Sequence, residues 1–95
     1  MNNLKNRMLE NNNSTFNDPD CFCTFDLGIC ASLLSSGFEL HSLSKDNPKK
    51  ILFIFKNKKA IEDAVNKFFA DKLMVNARSL VNNIKALKCR IYSNL

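Results

Sequence analysis

Little glycine, little proline and a single histidine set the first limits on this 95-residue chain. With two glycines it holds no G-x-G-x-x-G and no P-loop, the backbone cradles that many nucleotide-binding folds build around phosphate. With His41 as the one histidine there is no H-E-x-x-H pair to hold a catalytic zinc. No two carboxylates are obviously placed for acid–base work. No apolar run approaches the roughly 18 residues of a membrane helix. The N-terminal MNNLKNRMLENNN also lacks the apolar core of a secretory signal. The expectation is a protein of the reducing cytoplasm with no membrane association, where paired cysteines are not the default.

What is present reads as one small globular domain, with 45% hydrophobic residues, eight phenylalanines and 24% charged residues. A chain this short buries a modest share of its surface and sits near marginal stability. The net charge of +5 is uneven. Residues 1–20 sum to −1, residues 21–44 to −2 and residues 45–95 to +8. Such asymmetry suits an acidic partner: nucleic acid, a nucleotide or an acidic protein surface. A solvated, soluble face gives the same charge count.

Residues 1–20, with seven asparagines and the closing NDPD, read as a flexible leader. Residues 21–95 read as a single α+β domain. CFCT is a short strand, with Thr24 placed to cap a helix and Asp26 in its first turn. Leu27, Cys30, Ala31 and Leu34 recur on one helical face, and Gly37 is the stop. Residues 38–56 read as an antiparallel β-hairpin with a loop of four to six residues around KDNPKK. In ILFIF, Ile51, Phe53 and Phe55 point one way and Leu52 and Ile54 the other, so both sides need cover. Helices on one side alone would leave the second face open, which favours a homodimer or a bound partner. Lys49, Lys50, Lys56, Lys58 and Lys59 bracket the run as gatekeepers against edge aggregation. Asn57 can cap the next helix, with an apolar stripe of Ala60, Ile61, Ala64, Val65, Phe68 and Phe69. Asn76 caps the last, whose inner face carries Ala77, Leu80, Val81, Ile84, Leu87 and Ile91. The predicted order is β-α-β-β-α-α, with helices packed on the hairpin.

Three of the four cysteines fall within CFCTFDLGIC, residues 21–30. In a strand Cys21 and Cys23 share a face about 7 Å apart, at or beyond what a disulfide spans. Their spacing is not the C-x2–4-C of structural zinc sites. Cys30 falls on its helix's apolar face, where a thiol behaves as a small hydrophobe. Zinc held by Cys21, Cys23, Cys89 and His41 is geometrically allowed, but packing is the better reading, and no cofactor is expected. Nucleophilic catalysis needs a base oriented by a third group. Cys23, His41 and Asp26 are the one conceivable trio, so a non-enzyme is expected.

The last helix is more informative. At 100° per residue Arg78, Asn82, Lys85, Cys89 and Tyr92 share an arc about 80° wide beside the apolar one. A basic, amide-rich stripe ending in an aromatic can grip phosphates and stack on a base. Lys88 projects within the apolar arc, either lying along packed surface or placing its ammonium at a cleft between helix and sheet.

The segments TFDLGICASLLSSGFEL, KKILFIFKNKKAIEDAVNKFF and NNIKALKCRIY together resemble a family of small uncharacterised domains common in phages and prophages, a domain of unknown function. The pattern is carried by Thr24, Asp26, Leu27, Ala31, Gly37, Phe38, Phe53, Phe55, Leu87, Lys88, Ile91 and Tyr92, across residues 22–92. The resemblance implies a phage or mobile-element origin, hence a host cytoplasm, and a stand-alone domain, with no activity attached. The first expectation is a non-enzymatic interaction protein, of which a counter-defence inhibitor of a host protein or its nucleic-acid cofactor is one form. The second is nucleic-acid binding through Arg78, Lys85, Lys88, Tyr92 and the hairpin lysines Lys49 and Lys50. The third is sequestration of a small phosphorylated nucleotide at Lys88.

Overall fold

The computed structural model describes residues 19–47 and 49–92. The expected leader lies outside the described residues, apart from Pro19 and Asp20, which form a turn into the first strand. The elements are β1 (Cys21–Thr24), α1 (Leu27–Ser35), β2 (Leu40–Asn47), β3 (Lys50–Lys56), α2 (Lys58–Phe69) and α3 (Ala77–Tyr92), the α+β order expected.

The strands form one three-stranded antiparallel sheet in the order β1-β3-β2. Phe22 and Leu40 both pair with Phe55, and Leu43 pairs with Phe53, which gathers apolar side chains on one face. That face meets the core of Ile29, Cys30, Ala31, Leu33, Ile61, Ala64 and Leu87 from the three helices. The pairing of β1 with β3 puts ILFIF at the centre of the sheet. The lysines around it therefore do not guard an edge; β1 and β2 are the edges. Nor does the second face of β3 stand open. Leu52 and Ile54 are only 9% and 3% exposed, flanked in register by Cys23, Ser42 and Ser44. Both sides of β3 are buried within one chain, and the reason for expecting a homodimer falls away.

Local chemistry sets the element ends. The N-cap of α1 is Asp26 rather than Thr24: its Oδ1 accepts from the Ile29 amide at 2.9 Å. Thr24 acts one step earlier, its Oγ1 accepting from the Asp26 amide at 3.0 Å. Helix α1 ends in a Schellman turn, with the Phe38 amide on the Leu33 carbonyl and the Gly37 amide on the Leu34 carbonyl, both at 3.1 Å. Gly37 takes φ +101°, a backbone conformation that L side chains rarely adopt, so the stop sits where expected. Ile29 through Leu33 are all buried, a wider belt than the predicted face, because α1 packs on α3, α2 and β1 together.

The hairpin is tighter than predicted. Asn47 pairs directly with Lys50, and the Asn47 side chain accepts from the Lys49 amide at 2.9 Å. Asn57 precedes α2 in the left-handed region at φ 69°, which asparagine tolerates, and makes no side-chain cap. Asn76 does cap α3, accepting from the Ser79 amide at 3.0 Å. The apolar stripe of α2 is narrower than expected: Ile61 and Ala64 are buried, while Ala60 and Phe69 are exposed. On α3 the inward arc is Leu80, Asn83, Ile84, Leu87 and Ile91, because the helix lies mainly against α1. Asn83 donates to the Ser35 hydroxyl at 3.0 Å across that contact. Ala77 and Val81 lie outside the arc and are exposed.

Candidate functional site

A cleft of about 540 Å³ opens where three separate parts of the fold converge. The β1–α1 junction contributes Phe25 and Leu27, the hairpin contributes Lys45, Asn47, Lys49, Lys50, Ile51 and Phe53, and the last turn of α3 contributes Ile91 and Tyr92. Leu27, Ile51, Phe53 and Ile91 are rooted in or against the core and give the cleft an apolar floor. Phe25 and Tyr92 are 55% and 63% exposed, so much of each ring faces solvent.

Each wall has a local cause. Phe25 sits between the end of β1 and the cap Asp26, outside both the strand and the helix repeat, and neither pattern draws it inward. Lys50 places its ammonium 5.5 Å from the centre of the Phe25 ring, a cation–π contact that ties hairpin to junction. Lys45 reaches 46 residues along the chain to donate from Nζ to the Ile91 carbonyl at 3.3 Å. That carbonyl belongs to the last turn of α3, where the helix dipole is negative and a cation is favoured. Lys45 thus fixes the α3 end against the hairpin, while Lys49 and Lys50 stand exposed at the rim.

The electrostatics are one-sided. Among the described residues the cleft lining holds three lysines and no carboxylate. The Asp26 carboxylate, next to Phe25 in sequence, is engaged in capping α1. Helix α3 carries Arg78, Lys85, Lys88 and Arg90 with no acidic residue at all. Helix α2 differs: Lys58 faces Glu62 at 4.0 Å and Lys67 faces Asp63 at 3.3 Å, so two of its lysines are compensated.

Of the residues singled out in the sequence, Lys49, Lys50 and Tyr92 come together at this cleft. Arg78 and Lys85 are exposed on α3 and do not line it. Arg78, Lys85 and Tyr92 recur every seven residues, so they form a shallowly winding row along α3 that ends at the cleft, roughly 21 Å long. Lys88 is exposed beside Val81 and lines no part of the cleft. Phe25, Lys45, Asn47 and Ile91 were not indicated by sequence. For Phe25 the signal available in the sequence is a phenylalanine out of phase with both neighbouring elements.

The cysteines are all thiols. Cys30 is fully buried in the core, and burial pushes its thiol up to about 12. Burial likewise pushes Cys23 up to about 11, with a smaller contribution from the neighbouring Cys21. Among the described residues no three Cys, His, Asp or Glu side chains group to hold a metal. Cys23 and His41 are kept apart by β3, since Cys23 and Ser42 pair with opposite sides of Ile54 and His41 falls in the bulge beside Ser42. Two strand spacings amount to about 10 Å, too far for a base to reach a thiol.

Among the described residues no helix is long and apolar enough to cross a membrane. No curated protein and no solved structure matches the chain. One family model does, over residues 20–93, which takes in every element from β1 to α3. The chain belongs to the family described as a domain of unknown function, DUF5659.

Proposed function

We propose that this domain is a non-catalytic nucleic-acid-binding protein, gripping its ligand through the hairpin-tip cleft and the basic row of α3. The observation that carries this reading is the composition of the cleft: three lysines, two exposed aromatic rings and an apolar floor, with no carboxylate among the described lining residues. Lysines neutralise phosphates at any sequence, and the counterions released make affinity fall steeply with salt. Arg78 and Lys85 extend the same sign of charge along a helix that has no acid to oppose it. The test is electrophoretic retardation of a mixed-sequence oligonucleotide at low and at physiological salt. Retardation that weakens with salt, and weakens further for Lys49→Ala/Lys50→Ala, supports the reading. No retardation at low salt removes it.

A second reading, a protein partner, is favoured by a different surface. Phe69 at the end of α2 and Met74 in the connection to α3 are 69% and 88% exposed, apolar side chains of the kind that anchor protein contacts. The phage setting implied by resemblance and the separately expected counter-defence role belong to this reading, with a host protein as target. Phe69→Ser/Met74→Ser should abolish capture of such a protein and leave oligonucleotide retardation unchanged. The nucleotide-sequestration reading moves from Lys88, which does not line this cleft, to the hairpin tip, where it merges with the first.

A further inference from the structure

We infer that the hairpin-tip cleft takes one unpaired nucleobase together with its adjoining phosphate, so that the domain prefers single-stranded to duplex nucleic acid. This rests on the nucleic-acid reading and sharpens it. Lysines alone make no such distinction, because both forms present phosphates.

Three observations converge on a base. The first is size: about 540 Å³ falls within the range of about 300–1,000 Å³ typical of sites for small organic ligands. The second is the pair of rings. Phe25 and Tyr92 lie 67 positions apart in the sequence, yet both border the same apolar floor with most of their surface still in water. An aromatic ring exposed over an apolar floor is a stacking platform, and every base offers it a π-face whatever the sequence. The third is order. The Lys45 bond to the Ile91 carbonyl holds the Tyr92 wall, and the Lys50 ammonium over Phe25 holds the other, so the rings are positioned before any ligand arrives. Lys49 stands exposed at the rim beside Lys50, placed to meet the phosphate.

A duplex keeps its base faces stacked and paired, so it can use the lysines and not the floor. A single strand can use both. The cleft therefore adds affinity for unpaired bases without selecting among them.

The chain supplies its own reporter. Tyr92 is the one tyrosine and there is no tryptophan, so tyrosine emission reads this wall alone. Titrating the full chain with twelve-residue oligothymidylate should quench that emission. A duplex of equal length should bind at least about fivefold more weakly, without the quench, fivefold corresponding to the low end of what one stacked base contributes. Phe25→Ala should erase most of the preference. Phe25→Leu, which keeps apolar bulk but not the ring, should also lose it while melting like the parent, which separates stacking from folding. Equal binding of both forms with unchanged Tyr92 emission overturns the inference and leaves the nucleic-acid reading standing. No salt-dependent binding of either form overturns both.

Discussion

The Lys45 ammonium donates to the main-chain carbonyl of Ile91 at 3.3 Å, joining the hairpin to the last turn of α3. Lys45→Met keeps the apolar stem and removes the donor. We expect a loss of about 1 kcal/mol, the net worth of one such hydrogen bond, which lowers Tm by about 4–8 °C in a domain of this size. Amide exchange should quicken in the last turn of α3. Lys49→Ala, at an exposed side chain, should leave stability within about 0.5 kcal/mol. Thermal melts of the two variants side by side distinguish a structural lysine from a ligand-facing one, and equal melting of both would remove the structural role of Lys45.

Asp26 rather than Thr24 holds the start of α1, the helix at the centre of the core. Asp26→Ala should cost about 0.5–2 kcal/mol in urea unfolding, as loss of an N-cap does. Asp26→Asn retains an oxygen acceptor and should recover most of it. A larger loss from Thr24→Ala than from Asp26→Ala would show the cap assigned to the wrong residue.

The thiols divide by burial. Cys89 is exposed, whereas the Cys30 thiol is pushed from its ordinary 9.0 up to about 12. Under native conditions at pH 8 an aromatic disulfide reagent should modify Cys89 first and reach Cys30 only on unfolding. The same displacement makes stability depend on pH. Between 9.0 and about 12 the folded state retains a proton on Cys30 that the unfolded state has lost. The stability from this site is therefore complete below about pH 9 and declines as pH rises towards 12. Cys30→Ala should flatten that decline in pH-dependent urea curves, at the cost of some packing. An unchanged slope would contradict the assignment.

Because Leu52 and Ile54 are buried within one chain, light scattering at micromolar concentration should return a mass near 10.8 kDa. Twice that value would mean that a different surface, such as the exposed Phe69 and Met74, brings two copies together.

Much of this architecture was legible because it is written locally. A short continuous apolar run marks β3, period 3.6 marks the helices, and Asn76 and Gly37 sit where capping chemistry places them. What was not legible is long-range. Nothing near CFCT announces that it pairs with ILFIF, and that pairing is what turns an edge strand into a central one. The arc of α3 was misjudged at Ala77 and Val81 because apolar identity alone does not say which side a neighbouring helix occupies. Charge and aromatic placement singled out three of the cleft's lining residues, Lys49, Lys50 and Tyr92. Phe25 and Lys45, by contrast, take their places through contacts across the fold.

The most direct measurement is fluorescence anisotropy of a labelled single-stranded oligonucleotide titrated with the full chain at several salt concentrations. If Arg78, Lys85, Lys49 and Lys50 each meet one phosphate, log affinity should fall against log salt with a slope of roughly −3. The variant Lys49→Ala/Lys50→Ala should bring it to roughly −1.4. A slope near zero, or one that the double variant leaves unchanged, would contradict nucleic-acid binding at this cleft.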